Sequence, residues 1–174
     1  MGAAPGALVI RSDEVRKQLC GVSAFTRLGP VAYTADVTRR VYETAFQRAA
    51  TVLQSGHSVI IDAVFARASD RDAIEAVAAA AGVPFAGLWL DAPDQILVNR
   101  TRRRRADPSD ADPAVVRAQL AAGAGEVHWH RIAASGPRED VLQRAASIIA
   151  GASADAYGDR FAVMQSAEQP PRSR

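Results

Sequence analysis

The residues whose types and spacing could do chemistry begin in the stretch ALVIRSDEVR, where Ser12 and Asp13 follow a short apolar run and Arg16 stands one helical turn further on. A hydroxyl, a carboxylate and a guanidinium gathered at the end of a strand can hold a polar substrate, and the guanidinium can grip phosphate or carboxylate with two parallel hydrogen bonds. Two more apolar runs, SVII and FAGLWL, also end in acids, Asp62 and Asp91. Arg67 and Arg71 lie behind Asp62, and RTRRRR places arginines at positions 100 and 102–105. A plainer reading stands beside each of these. Ser12 or Asp13 can serve only as the N-cap of a helix over 14–19, with Arg11 and Arg16 solvated. The arginine run can simply favour the C-terminal dipole of its own helix.

The elements that must position these groups alternate. Continuous apolar or β-branched runs over 8–10, 58–63 and 85–90 read as strands of a parallel sheet. Between them, Thr34 caps a helix over 35–54 with an apolar stripe of Val37, Val41, Ala45, Ala49 and Val52, and a second helix covers 69–81. Helices over 93–105 and 114–120, a strand over 130–134 and a helix over 138–150 complete the pattern. Strands joined by helices of crossover length predict an α/β fold with right-handed connections, whose ligand crevice lies outside the carboxyl ends of the strands. The three acids end at that edge. The segment ADPSDADP breaks the arginine helix and supplies carboxylates opposite the arginines, so the hairpin is either a lid that closes over a phosphate or a charge-balanced, solvated excursion. The loop CGVSAFTRLGPVAY, with Phe25 exposed, is a lid or only a connection. Glu126, His128 and His130 would share one face of a strand, but no second ligand cluster accompanies them, which argues against a metal site.

Composition narrows the classes. The 174 residues carry 21 basic and 19 acidic side chains, and Lys17 is the only lysine. Arginine in place of lysine with abundant alanine fits a GC-rich coding bias, so the basic balance alone is not read as nucleic-acid binding. The single cysteine, Cys20, excludes an intrachain disulfide and reads as a half-buried bystander. No apolar run approaches a membrane span and no leader is visible, which makes the cytoplasm the expected address. One domain is expected over 1–163, followed by a disordered tail over 164–174.

The ordered set LVIRSDEVRKQL, YTADVTRRVYETAFQRAATVLQSGHSVIIDAVFARASDRDAI, GVPFAGLWLDAP, RTRRRRADPSDADPAVVRAQ and WHRIAASG resembles the small P-loop kinase domain of AAA-family ATP-binding proteins. It is most similar to the ATP-binding half fused to aminoglycoside phosphotransferase-like domains, and more distantly to gluconate kinases, zeta toxins and polynucleotide 5′-kinases. The resemblance implies ATP and Mg2+ as cofactors and a hydroxyl on a small molecule, or a nucleic-acid end, as acceptor. It implies Asp13 as the carboxylate that takes the acceptor's proton, Ser12, Arg16 and Arg67 as acceptor-binding residues, and Arg100 and Arg104 as lid arginines on the transferring phosphoryl group. Asp62 matches the acid of the magnesium shell, and Ser135 and Gly136 match backbone contacts to adenine.

One departure is large. Such domains open with a strand and the loop GxxxxGK[ST], whose amides cradle phosphates, and no such motif occurs in these 174 residues. The resemblance therefore implies a three-layer parallel sheet that is incomplete, lacking its first strand, P-loop and first helix. The missing strand would lie between SVIIDA and FAGLWL. Those two strands are then left to pair directly, to accept a strand from elsewhere or to leave a gap, and an uncovered sheet face predicts a homo-oligomer or an N-terminal partner. A domain without its phosphate cradle is expected to transfer no phosphoryl group by itself, leaving a kinase-like binding module or a fragment completed by a P-loop-bearing partner as the other readings.

Overall fold

The computed structural model describes residues 6–103 and 107–167, with side chains to residue 152. The chain runs β1 (Ala7–Arg11), α1 (Ser12–Leu19), a 3-10 turn (Pro30–Tyr33), α2 (Ala35–Gln54), β2 (Ser58–Asp62), α3 (Ala68–Ala80), β3 (Leu88–Asp91), α4 (Asp94–Arg103), α5 (Pro113–Ala122), β4 (His130–Ala133) and α6 (Arg138–Ala167). Strand and helix alternate as the apolar runs require, and the strand pairs are parallel. The result is an α/β fold.

The longest of the inner helices carries the core. Thr34 caps α2 by accepting the amide of Val37 at 3.4 Å, and the stripe behind it buries Val41, Ala45 and Ala49. Small side chains at two of these positions let the helix approach β1 and β2 closely. Ile10, Val15, Phe65 and Ile74 close around them, with Val59 and Ile61 of β2 packed alongside. Burying Val41 completely is worth about 2 kcal/mol.

The strands form two separate ladders rather than one sheet. β1 pairs with β2 in the register Val9↔Ile60, Arg11↔Asp62, and β3 pairs with β4 in the register Leu88↔His130, Leu90↔Ile132. Among the described residues β2 and β3 share no hydrogen bonds. Direct pairing of SVIIDA with FAGLWL, one of the arrangements open to the sequence, does not occur. Val9 and Ile60, which share the face away from α2, are 52% and 37% exposed, and Leu90 is 57% exposed.

Side chains join the half-sheets instead. Arg71 of α3, 3% exposed, donates from Nη1 to the carbonyls of Phe65 and Ala66 behind β2, at 2.7 and 3.2 Å. Its Nη2 donates to the carbonyls of Ala124 and Glu126 ahead of β4, at 3.0 and 2.8 Å. Four carbonyl dipoles replace a counter-ion. Trp129 packs its indole on Phe65 and Phe85, with ring centroids 5.0 and 5.7 Å apart, and donates Nε1–H to Glu75 at 2.6 Å. Gly87 makes room for it, since a Cβ there would stand 2.4 Å from the indole. Phe65 holds a left-handed φ of 48°, and its amide donates to the Tyr42 hydroxyl at 3.0 Å, which fixes that conformation in the core.

Several boundaries depart from the sequence expectation. β3 starts at Leu88 rather than Phe85, because Phe85 and Gly87 pack around Trp129. Glu126 and His128 precede β4, so only His130 of that trio lies on the strand. α6 continues past Ala150 to Ala167 through an alanine-rich stretch of good helix propensity, taking in residues 164–167 of the expected tail. Residues 168–174 lie outside the described residues. Cys20 is exposed rather than half-buried, since it stands at the C-terminal end of α1.

Candidate functional site

The end of β1 and the start of α1 form the centre of the site. Helix α1 begins at Ser12, with Arg11 at the N-cap position and no side-chain capping bond. Neither Ser12 nor Asp13 acts as a cap, although Asp13 stands in the first turn of α1, where a carboxylate also complements the helix dipole. Arg11 and Asp62 are register partners on adjacent strands, and Arg11 Nε donates to Asp62 Oδ2 at 3.1 Å. The same guanidinium reaches Asp107 Oδ1 at 3.4 Å and lies 3.9 Å from Glu14. Arg11 is thus one cation among three carboxylates, with half of Asp62 still facing solvent.

Asp13 lies partly buried beside this cluster. Burial pushes its carboxyl above the usual aspartate range, against the opposing effects of the Ser109 side chain and the guanidinium groups of Arg16 and Arg11. A carboxylate raised by burial at a strand's carboxyl edge is suited to accept a proton from an alcohol.

Ser109 comes from the segment 107–112, and its neighbours fasten that segment to the body. Asp110 Oδ2 accepts from Lys17 Nζ at 2.5 Å, from the Tyr33 hydroxyl at 2.5 Å and from the amide of Leu28 at 3.1 Å. Lys17 is 1% exposed and also donates to the carbonyl of Thr26. Burial works to raise the Asp110 carboxyl, but these donors outweigh it and hold the group below the usual range. Tyr33, partly buried and bonded to a carboxylate, is pushed well above the ordinary phenol range. At the rim, Arg27 lies 3.5 Å from Asp112, which in turn caps α5 through the amides of Ala114 and Val115. The sequence set these carboxylates against the arginines of 100–105. In the described residues they meet Arg11, Lys17 and Arg27 instead, because the loop folds back toward β1 and α1.

The other expected site residues divide. Arg16 sits under the 3-10 turn, 7% exposed. Its Nη1 donates to the carbonyl of Ala32 at 2.8 Å and to Thr38 Oγ1 at 3.3 Å, and its guanidinium carbon lies 4.7 Å from the Tyr33 ring centroid. Its buried Nε has no hydrogen-bond partner. Ser12 is the first residue of α1, half-buried next to Asp13. Arg67 spends its fork on Asp70, at 2.9 and 3.0 Å, fastening the start of α3. Arg100 donates to the carbonyl of Ala134 at 2.5 Å, which brings α4 against the exposed turn holding Ser135 and Gly136. Arg104 lies outside the described residues. Asp13, Asp62 and Arg16 thus gather on the β1–α1 side, whereas Arg67 and Arg100 do not join them.

Lys17, Ser109 and Asp110 were missed as a group. The available signal was the spacing of acids in DPSDAD, together with a lone lysine directly after the buried positions Val15 and Arg16. No helix is long and apolar enough to cross a membrane among the described residues.

Comparison with known proteins follows the same geometry. An uncharacterized protein of Mycobacterium bovis and one of Mycobacterium tuberculosis are each 32% identical over 138 residues. That stretch is 77% of this chain, and the chain spans 28% of the length of those relatives. Among solved structures, a gluconokinase from Sinorhizobium meliloti superposes with a TM-score of 0.61 at 20% identity, over 90% of this chain and 84% of that one. A sugar kinase from a Janibacter species gives 0.52 at 17% identity, over 82% and 79%. These likenesses establish the fold. The model of the AAA domain family matches residues 1–124, nearly three-quarters of the chain. The chain belongs to the AAA domain family and folds as a kinase-like α/β domain.

Proposed function

We propose that this domain is the acceptor-side part of an ATP-dependent phosphotransferase that moves a γ-phosphoryl group to a hydroxyl of a small molecule. The carrying observation is Asp13: it ends up at the carboxyl edge of β1 without a capping role, partly buried, and with its carboxyl raised by that burial. In this reading Asp13 accepts the acceptor's proton, Ser12 and Arg16 shape the acceptor pocket, and Asp62 stands by for a Mg2+ ion. ATP would supply the transferred phosphoryl group. Family membership and the sugar-kinase-like fold support a small hydroxylated acceptor over a nucleic-acid end. Asp62 and the turn at Ser135 and Gly136 are open enough to meet a nucleotide, but the 174 residues contain no GxxxxGK[ST] cradle. The donor side therefore does not fit ATP with these residues alone.

The two unpaired half-sheets favour a specific form of this reading. A parallel strand between β2 and β3, followed by a phosphate-binding loop, would satisfy both open ladder edges and bring the cradle to the acid cluster. The test is transfer from labelled ATP to D-gluconate as probe acceptor. The 174-residue chain alone is expected to give none, and the chain joined to a strand–GxxxxGK[ST]–helix segment is expected to gain transfer that Asp13→Ala removes. Turnover by the chain alone would refute the donor assignment, and full activity in Asp13→Ala would refute the acceptor assignment. A homo-oligomer covering the Val9 and Ile60 face is the competing use of that surface. A sedimentation profile of a monomer would remove it.

A further inference from the structure

We propose that Tyr33 is a gate on Arg16: its ring covers a guanidinium whose side-on edge is open to one anionic group, a carboxylate or a phosphate, of an incoming ligand. The inference rests on the reading of Arg16 as a residue of the acceptor pocket, and it goes further by assigning what Arg16 grips and what shuts it off. Arg16 is buried, and among the described residues no carboxylate forms an ion pair with it. Its Nη1 is spent on the Ala32 carbonyl and Thr38 Oγ1, which pins the plane of the guanidinium. Nε is buried without a partner, and Nη2 makes no hydrogen bond among the described residues. Nε and Nη2 are the two donors of the side-on edge, which fits a carboxylate or a phosphate with two parallel bonds.

Two other arginines of the chain show what Arg16 lacks. Arg67 turns the same Nε and Nη2 edge onto Asp70, and the buried Arg71 spends its fork on four carbonyls. Arg16 has neither arrangement, and a buried cation without a counter-charge is costly. In their place it has Tyr33, whose ring centroid lies 4.7 Å from the guanidinium carbon, a cation–π contact that offsets only part of that cost. Tyr33 stands at the end of the 3-10 turn and is 41% exposed, so its ring can rotate into solvent without disturbing the core. Its hydroxyl donates to Asp110 Oδ2 at 2.5 Å, and Asp110 is itself held by Lys17 and the Leu28 amide. That bond latches the ring over Arg16. Releasing it uncovers the open edge, and an anion that takes both donors supplies the missing charge.

Arginine labelling with phenylglyoxal, read by peptide mass spectrometry on the folded full chain, tests the gate without ATP or turnover. Arg16 is expected to label about tenfold more slowly than Arg27, whose side chain is 73% exposed. Tyr33→Ala removes ring and latch together and should raise the Arg16 rate about tenfold while circular dichroism stays unchanged. Should Tyr33→Ala fail to fold, Tyr33→Phe, which keeps the ring and drops the latch, is expected to raise it about fivefold. In the variant that folds, D-gluconate or inorganic phosphate should slow the Arg16 reaction about fivefold, and the one that protects identifies the anion as carboxylate or phosphate. D-glucitol, an uncharged polyol of the same chain length as gluconate, should give no protection. Equal labelling of Arg16 and Arg27 in the unmodified chain, or an unchanged Arg16 rate in the variant that folds, overturns the gate. Protection by neither anion, or equal protection by D-glucitol, overturns the anion site. Expected labelling and protection alongside an Asp13→Ala chain that transfers normally would remove the role of Asp13 and leave the gated arginine in place. Unchanged labelling alongside a damaging Asp13→Ala would remove the gate alone.

Discussion

Replacing Lys17 by methionine isolates the energetics of the centre of the site. The ammonium makes two bonds, to Asp110 Oδ2 at 2.5 Å and to the Thr26 carbonyl, from a position 1% exposed. Methionine keeps most of the apolar stem, so the loss is mainly the charged contact, which for a charge-assisted hydrogen bond is about 1.5–3 kcal/mol. Asp110 keeps the Tyr33 hydroxyl and the Leu28 amide, which places Lys17→Met near the middle of that range, about 2 kcal/mol. Asp110→Asn should cost more, about 3 kcal/mol, because it leaves a buried ammonium without its counter-charge. In urea, with a slope of about 2 kcal/mol per molar, the midpoints should fall by about 1 M and about 1.5 M. The double variant should lose less than the sum of the two, with a coupling of about 1 kcal/mol or more. If Lys17→Met unfolds within about 0.5 kcal/mol of the unmodified chain, the pair behaves as a surface contact and the reasoning from burial fails.

Three further outcomes follow from neighbouring contacts. Gly87→Ala would set a Cβ 2.4 Å from the Trp129 indole and should push that ring outward, at a cost of about 1–3 kcal/mol, seen as a red shift in tryptophan emission; an unshifted spectrum would contradict the packing. Tyr42→Phe leaves the Phe65 amide without its acceptor in the core and should cost about 1–2 kcal/mol in thermal or urea unfolding. Asp110, held below the ordinary value of 3.8, contributes stability that is present above that value and lost as pH falls through its folded value. Asp13, raised by burial, acts in the opposite sense and disfavours the folded chain as pH rises through its folded value. Urea midpoints at about pH 3 and about pH 5 should therefore separate less in Asp110→Asn than in the unmodified chain, whereas equal separations would show that Asp110 is not the acid-sensitive group.

The fold was largely legible because its signals are periodic. Thr34 and the stripe from Val37 to Val52 announced α2, and the β-branched run at 58–62 announced β2, since both follow from which side chains must face a core. The separation into two ladders was legible only as one of several arrangements, because strand pairing depends on what lies beside each edge and not on the strand's own residues. At the site, Asp13 and Asp62 could be found from their positions at strand ends. Ser109, Asp110 and Lys17 could not, because their partnership spans 93 residues and depends on a loop folding back over α1. The same holds for Arg71, whose burial under four carbonyls leaves no periodic trace, and for Arg67, which looked like a ligand group and instead clamps Asp70.

The burial of Lys17 has a practical corollary. With no other lysine in the sequence, the folded domain offers amine-directed reagents no second side-chain target, and the one it has is shut behind Asp110. Acylation at this nitrogen needs its contacts with Asp110 and the Thr26 carbonyl to open, so its rate is a probe of that opening in a protein that needs no engineered label.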